Sequence, residues 1–374
     1  MRVREHLRNG VAAGLYRTGA LDILRRFERR FRLRLGADPR QLRVGRFRGS
    51  KFAILCYHRV GTGGVPLFSQ LHPAVFERQM RYLRRNYRIV SLPQLCQELR
   101  NGAAVAPTVA ITFDDGYRDL YRHAFTVLQK YQIPATIYLI GESMETGECP
   151  WYDRIFVALE HAPETHLEVE LDSSRQFGLT SPAERRQAAW EIVCYLRTLP
   201  DAKRREWCAA FDRRMRPPRV HLENRMLDWS QVRTMQAAGV HFGAHTMTHP
   251  SVARLAPTEF EEELLASRKL LEAGLETAVE HFAYPFGKTA DCLPSSETTL
   301  SGYGYRSAVT TREGINSFET DLFRLNRMQI GDDASIALFA FNVARMFLEA
   351  DPGEASFTAT SAGSASFQMK QKAF

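Results

Sequence analysis

The sequence predicts an α/β fold whose parallel strands form a (β/α) barrel. Short apolar segments alternate with segments of helical periodicity along most of the chain. Nearly all these segments are apolar at successive positions and do not alternate with polar residues, as expected of strands that are buried on both faces. Polar residues directly follow three of these segments, at His58, Asp114 and His245. In parallel α/β folds this edge of the sheet is where active sites form.

The predicted strands are short apolar runs, several of them rich in β-branched residues. Thr108–Phe113, for example, reads TVAITF and leads directly into Asp114 and Asp115. In chain order the predicted strands cover 52–57, 88–91, 108–113, 135–140, 240–244, 279–284, 305–309 and 325–330.

The predicted helices carry apolar residues at three- and four-residue steps. In Pro73–Asn86, the side chains of Phe76, Met80 and Leu83 form the inward face. Pro93 opens the next helix, at a position where proline is tolerated. The helices predicted between the strands cover 73–86, 93–100, 120–131, 257–273 and 335–348. Helices and strands together define a barrel domain over residues 52–350.

Residues 142–227 interrupt this alternation. One strand is predicted there, at Leu167–Leu171, and it is followed by two charged helical segments, at about 183–199 and 203–215. We interpret the stretch as a helical insertion over the barrel mouth. A surface elaboration without contact to the substrate is the alternative.

The composition excludes two classes of protein. With 44% hydrophobic and 25% charged residues, the chain is typical of a soluble globular protein and not of a disordered one. No apolar run approaches the roughly 18–20 residues that a membrane-spanning helix needs.

The 6 cysteines include no CxxC pair, which favours free thiols and a cytoplasmic protein. The small polar residues of 351–374 predict a disordered tail.

The N-terminal residues 1–51 form a basic region with fourteen Arg and one Lys against four acidic residues. Apolar residues recur at three- and four-residue steps from Leu7 to Phe31, which predicts basic amphipathic helices. Arg17 and Asp22 interrupt the apolar stretch, so we do not expect a secretory signal. Such helices bind the anionic inner face of a membrane, or they pack on the domain. No nucleic-acid-reading motif accompanies the basic run.

Three polar segments carry the candidate chemistry, and each follows a predicted strand: TFDDGY at 112–117, HTMTH at 245–249 and YPFG at 284–287. Two histidines four residues apart converge on one divalent ion if their segment is helical. A carboxylate as third ligand leaves coordination positions for water. A second carboxylate that does not bind the ion can accept a proton from that water. Each segment alone is a weak signal, but the combination in this order is specific.

These segments resemble the motifs of the polysaccharide deacetylases of carbohydrate esterase family 4, which have the NodB-homology fold. The family motifs T-F-D-D-G-[YF] and H-[ST]-x-x-H match residues 112–117 and 245–249, and the resemblance covers about 52–330 without the insertion. The resemblance implies a distorted (β/α) barrel. It also implies a metal-dependent amide hydrolase that removes acetyl groups from N-acetylated sugars.

The resemblance also implies roles for individual residues. Asp114 would be the base, and the backbone N–H of Tyr117 would help to hold the oxyanion. Asp115, His245 and His249 would bind a divalent metal ion, for which zinc is favoured over cobalt, nickel or manganese.

Two features depart from the family pattern. In the third motif, R-x-P-[YF]-G, Ala283 stands at the place of the Arg, while Tyr284 and Pro285 remain candidates for substrate binding. Many members carry Leu-x-His near the C-terminus to protonate the leaving amine, but the matching segment here is Leu325–Arg327. We expect His58 to replace this acid, because biofilm-polysaccharide deacetylases have a similar Tyr-His segment on an N-terminal strand. A histidine hydrogen-bonded at a strand end is the alternative reading.

The leading functional hypothesis is a metal-dependent hydrolase that removes N-acetyl groups from amino sugars of a polysaccharide or glycolipid. One alternative is a catalytically silent barrel that binds glycan within a polysaccharide synthesis complex. Another is a metal amidohydrolase that acts on a non-sugar amide. The expected partners are an acetylated glycan or glycolipid and an anionic membrane, with no nucleic acid.

Overall fold

In the described part of the chain, eight short strands form one parallel sheet, and a separate two-stranded hairpin lies in the insertion. The computed structural model describes residues 51–348, apart from 63–69, 103–106, 219–224 and 333–334. The sheet strands are β1 (Phe52–Tyr57), β2 (Arg88–Val90), β3 (Thr108–Phe113), β4 (Thr136–Leu139), β7 (His241–Ala244), β8 (His281–Ala283), β9 (Ser307–Val309) and β10 (Met328–Gln329), and the hairpin strands are β5 (His166–Glu170) and β6 (Ser174–Gly178).

The sheet curls until its last strand returns to its first. Its main path runs β10-β1-β3-β4-β7-β8-β9, and β2 pairs with the first half of β3. Leu325 forms a parallel bridge with Val309 of β9, while Met328 and Gln329 pair with β1. The segment from Leu325 to Gln329 therefore contacts both edges of the curled sheet. The prediction of an α/β fold with a distorted barrel of parallel strands is confirmed.

Eleven α-helices accompany the strands in the described part of the chain. They are α1 (Pro73–Asn86), α2 (Leu92–Asn101), α3 (Phe125–Tyr131), α4 (Gly141–Thr146), α5 (Trp151–Glu160), α6 (Pro182–Leu196), α7 (Asp201–Met215), α8 (Trp229–Ala237), α9 (Pro257–Leu275), α10 (Ser296–Gly302) and α11 (Ile336–Leu348). The predicted helix at 120–131 begins as a π-helical turn, Leu120–Ala124, before α3. Among the described residues, no helix has the length and apolar character needed to cross a bilayer.

Hydrophobic side chains cover both faces of the sheet. On the outer face, Leu55 and Phe113 belong to the main core, together with Phe76 of α1. On the inner face, Ile54 and Tyr138 belong to a second cluster inside the curl. All six residues of β1 are buried, which explains why this strand is continuously apolar and does not alternate.

The insertion has a hydrophobic core of its own, formed by α5, α6, α7 and the β5–β6 hairpin. The prediction of a single strand there is incomplete, because β5 pairs with β6 in an antiparallel hairpin. β6 was missed since its sequence, SRQFG, is polar and mostly exposed. Helices α4 and α5 were also not predicted. The basic helices predicted for 1–51 and the tail predicted for 351–374 lie outside the described residues, except for Lys51.

Candidate metal centre and acid–base site

Three loops meet at the carboxyl-terminal edge of the sheet. His58 follows β1, Asp114 and Asp115 follow β3, and the ligand loop, which we define as residues 245–249, follows β7. The backbone of this site is unusual: Asp115, Thr246 and His249 have positive φ angles of 72°, 64° and 57°. Such conformations cost energy in residues other than glycine, and they cluster at functional sites.

Asp115, His245 and His249 converge in a buried cluster. The Nε2 atoms of His245 and His249 lie 3.6 and 3.5 Å from Oδ1 of Asp115. The three side chains offer ligand atoms that lie within 4.8 Å of one another. Nδ1 of His245 donates a hydrogen bond of 2.7 Å to the Ala283 carbonyl, which points Nε2 toward Asp115.

The two histidines do not meet by way of a helical turn. The ligand loop forms no helix, and positive φ angles at Thr246 and His249 turn its backbone. The helical condition under which the sequence pattern HxxxH would bring its imidazoles together is therefore not met, although the two imidazoles do converge. The physical reason is that the loop begins immediately after β7, where the hydroxyl of Thr246 accepts a 3.0 Å hydrogen bond from the His249 N–H and closes a tight turn.

The electrostatics of this cluster suit a divalent cation. Burial lowers the pKa of His245 to about 4, and burial with His245 nearby lowers that of His249 well below its ordinary value. Both imidazoles are therefore neutral, as metal ligands must be. Burial and the neighbouring Asp114 raise the pKa of Asp115 well above its ordinary value, a penalty that a bound cation would remove. Two imidazoles and a carboxylate are the donor set of catalytic zinc-type sites.

Asp114 has an entirely different partner, Arg327. Nη1 and Nη2 of Arg327 donate to the two carboxylate oxygens of Asp114 over 2.7 and 2.6 Å. Nε of Arg327 donates to the Thr310 carbonyl over 2.7 Å, which orients the guanidinium. Burial would raise the pKa of Asp114, but the guanidinium outweighs burial and holds that pKa below its ordinary value. Asp114 is therefore ionised and held in one orientation.

Ala283 stands where the third motif has its arginine, and the arginine that binds Asp114 is instead Arg327. Sequence reasoning missed it because the two partners are 213 residues apart. One signal was available: Arg327 lies within the predicted strand at 325–330, between the apolar Leu325 and Met328. A fully buried arginine requires a charged partner.

His58 lies beside Asp114. Cys56, His58 and Asp114 offer ligand atoms within 4.8 Å of one another, and the His58 side chain is partly exposed. Burial lowers the pKa of His58, while Asp114 opposes this shift. This trio fits a metal ion less well than the Asp115 cluster, because both oxygens of Asp114 already bind Arg327.

A buried ion pair joins the loop of His58 to the loop of Asp114. Nε of Arg59 donates to Oδ2 of Asp119 over 2.7 Å, and the guanidinium lies over the ring of Tyr117. Sequence reasoning did not identify this pair. It connects the segments that carry the candidate acid and the candidate base.

The remaining predicted site residues are Tyr117, Tyr284 and Pro285. Tyr117 forms an antiparallel bridge with Met226. The N–H groups of Arg118 and Leu227 donate the hydrogen bonds of this bridge, and the Tyr117 N–H takes no part in them. Tyr284 is buried in the main core, where its hydroxyl is 2.9 Å from Oγ of Ser296. Pro285 is also buried. The structure therefore gives Tyr284 no exposed surface for substrate, because its ring faces the core.

Comparisons with known proteins relate this chain to polysaccharide deacetylases. The family model described as polysaccharide deacetylase matches residues 101–306. A putative polysaccharide deacetylase of Bacillus subtilis, YxkH, is 23% identical over 300 residues, which cover 79% of this chain and 77% of that protein. The poly-beta-1,6-N-acetyl-D-glucosamine N-deacetylase of Escherichia coli K12 is 33% identical over 81 residues, 21% of this chain and 12% of that protein.

A solved structure shares the fold. The Streptococcus pyogenes deacetylase PplD in complex with acetate superposes with a TM-score of 0.55 at 20% sequence identity. The match covers 80% of this chain and 99% of that one.

Proposed function

This chain belongs to the polysaccharide deacetylase family, hydrolases of carbon–nitrogen bonds, and we propose that it removes N-acetyl groups from amino sugars of a polysaccharide or glycolipid with the help of a divalent metal ion. One observation carries the proposal. A buried Asp-His-His cluster fit for a cation lies beside a second carboxylate, Asp114, which Arg327 keeps ionised. The match to an N-deacetylase of poly-N-acetylglucosamine supports an amino-sugar substrate.

The residues around the cluster divide the reaction between them. A divalent ion held by Asp115, His245 and His249 would polarise the acetyl carbonyl and lower the pKa of water. Asp114 accepts a proton from the attacking water. The Tyr117 N–H donates to the acetyl oxygen as negative charge develops there. His58 then donates a proton to the departing sugar nitrogen, so that acetate and a free amine leave.

Two residues of the site bear on the silent-barrel alternative. That alternative rested on the missing arginine of the third motif and the missing C-terminal histidine. Arg327 binds both oxygens of Asp114 although Ala283 stands in the third motif, and His58 offers an imidazole beside the same carboxylate. A metal amidohydrolase acting on a non-sugar amide would use the same groups, so the substrate must be decided by experiment.

The decisive experiment incubates the full chain with N-acetylglucosamine oligomers and measures released acetate and new free amines. We expect equal amounts of both products after loading with Zn, Co, Ni or Mn. We expect none after chelation or in Asp115→Ala. Glycan binding without acetate release by the metal-loaded protein would support the silent barrel. Acetate release from simple amides alone would support the non-sugar amidohydrolase.

We also propose that the protein is cytoplasmic and that residues 1–51 hold it on the inner face of the membrane. The support is their charge and apolar periodicity. The test compares the full chain with a variant in which Arg25, Arg26, Arg29 and Arg30 are changed to Gln. Binding to phosphatidylglycerol vesicles should be weaker in the variant and should fall with salt. Equal binding by both proteins would mean that the arginines do not contact lipid.

A further inference from the structure

We propose that contacts from the insertion hold the ligand loop in its metal-binding conformation. Metal affinity and the stability of the insertion are therefore thermodynamically linked. This inference rests on the proposed metal site at Asp115, His245 and His249. Three sets of contacts carry it, one each from α7, α5 and α6 of the insertion.

The first set is centred on Glu263 of α9. Its buried carboxylate accepts hydrogen bonds from the N–H groups of Met247 and Thr248, over 2.7 and 2.9 Å, and from the Thr248 hydroxyl over 2.7 Å. Arg205 of α7 donates to Glu263 over 3.0 Å and to Thr248 Oγ1 over 3.1 Å. A buried carboxylate is costly without a charged partner. Arg205 of the insertion is therefore the positively charged partner that stabilises Glu263 in its contact with the ligand loop.

The second set comes from the start of α5 and reaches a proposed ligand directly. The indole Nε1–H of Trp151 donates to the carbonyl of His249 over 3.1 Å. The ring of Tyr152 lies 4.8 Å from the imidazole of His249, measured between centroids. His249 is held in a left-handed conformation. These two contacts fix both its backbone and its ring.

The third set holds the chain just beyond the ligand loop. Nε of Arg197, directly after α6, donates to Oδ1 of Asp291 over 2.9 Å. The same carboxylate oxygen accepts from the hydroxyl of Ser251 over 2.9 Å. The insertion thus contacts Thr248 and His249 directly and Ser251 through Asp291. These contacts are with the ligand loop and its neighbours, so a position over the barrel mouth and a surface elaboration without contact to the substrate both stay predictions.

Linkage follows from the strained backbone of the loop. Thr246 and His249 keep their positive φ angles only while surrounding contacts hold them. Without those contacts the loop would relax, and part of the binding energy of the metal would be spent on restoring it. Loss of an outer contact of this kind usually costs about 10–100-fold in metal affinity. Reciprocally, a metal that binds the folded loop stabilises the insertion.

The test measures zinc affinity of the metal-free full-length protein by competition with a chromophoric chelator. Arg205→Met should weaken zinc binding by about 10–100-fold. Trp151→Phe should weaken it by a smaller factor, since the variant loses the indole N–H donor but keeps an aromatic ring at this position. Arg175→Met is the matched control, because Arg175 lies on β6 of the same insertion and, among the described residues, pairs with Asp172 and Glu191 at the surface. Equal affinities in all four proteins would overturn the linkage while leaving the metal site intact. A wild-type protein that binds no divalent ion would overturn both proposals.

A second measurement uses only the wild type and so does not depend on a variant that folds. Hydrogen exchange of the backbone amides is compared with and without zinc. We expect zinc to slow exchange in α5 and α7 and to leave α2, outside the insertion, unchanged. Identical exchange in α5 and α7 with and without zinc would contradict the linkage.

Discussion

Asp114 and Asp115 are neighbours in the chain, yet the two sides of the site to which they belong differ in charge. Asp114 lies against a buried guanidinium that binds both of its oxygens. Asp115 faces two imidazoles that burial keeps neutral. The pKa of Asp114 is held below its ordinary value by Arg327, while burial raises the pKa of Asp115.

This difference shows how one dipeptide can serve two chemical roles. A carboxylate that already has a cation stays ionised and can accept a proton without binding a metal. A carboxylate among neutral imidazoles is costly to bury until a cation joins it. The surroundings, and not the residue type, therefore favour Asp114 as base and Asp115 as ligand.

The largest effect is expected when the two carboxylates are changed one at a time. Asp115→Asn should lose its metal and all measurable deacetylation. Asp114→Asn should keep its metal and lose roughly 10²–10⁴-fold in turnover, since an amide cannot accept the proton. Metal content by mass spectrometry and acetate release are measured on the same samples. If Asp114→Asn loses the metal and Asp115→Asn keeps it, the two roles are exchanged.

Asp114→Asn has a second expected effect, on stability. It leaves the fully buried Arg327 without its counter-ion, which typically costs about 3–5 kcal/mol. The free energy of unfolding in urea should therefore fall by this order, and the folded state of the variant must be verified before its activity is measured.

The next effect concerns His58, which lies on the Asp114 side. His58→Ala should keep its metal and lose roughly 10²–10⁴-fold in turnover on amides. The loss should be smaller on an aryl acetate, because a phenolate leaves without a proton. An acid must be protonated, and burial lowers the pKa of His58, so wild-type activity should fall as pH rises through a pKa below about 6.5. This alkaline limb should be absent in the variant. Equal losses on amide and ester would indicate a structural role.

A smaller effect is expected from Arg327→Lys, which keeps the charge but not the paired hydrogen bonds. The pKa of Asp114 should rise, and since a base must be ionised, the acid limb of the activity profile should move to higher pH. Turnover should fall about tenfold to a hundredfold through misplacement of the carboxylate. Arg324→Lys is the control, because Arg324 pairs with Asp321 near the surface. An unchanged acid limb in Arg327→Lys would mean that Arg327 does not set the ionisation of Asp114.

The smallest expected effect concerns Asp115 and the stability of the metal-free protein. In the metal-free protein, Asp115→Asn removes a buried carboxylate that has no bound cation, so the melting temperature at neutral pH should rise by about 1–2 °C for each kcal/mol recovered. Zinc should raise the melting temperature of the wild type and leave that of the variant unchanged. A lower melting temperature in metal-free Asp115→Asn would mean that the ionised carboxylate stabilises the fold without a metal.

Local sequence determined the elements whose pattern is complete within a few residues. The predicted bounds of Phe52–Tyr57, Pro73–Asn86 and Thr108–Phe113 equal the observed ones, because continuous apolar runs and helical periodicity are properties of neighbouring residues. The motif residues Asp114, Asp115, His245 and His249 were named for the same reason. Asp114 and His245 directly follow strands of the parallel sheet, Asp115 and His249 lie one and four residues beyond them, and all such strand ends lie at one edge.

Only the tertiary structure decided which groups meet these residues. Arg327 reaches Asp114 from 213 residues away, and Arg205 and Trp151 reach the ligand loop from an insertion whose own pattern gives no sign of it. The third-motif Tyr284 faces the core although it directly follows a strand. Contacts between distant segments depend on the register and curl of the whole sheet, which no window of neighbouring residues contains. The roles of the motif residues are therefore suggested locally, while their charges and orientations are set by side chains from far along the chain.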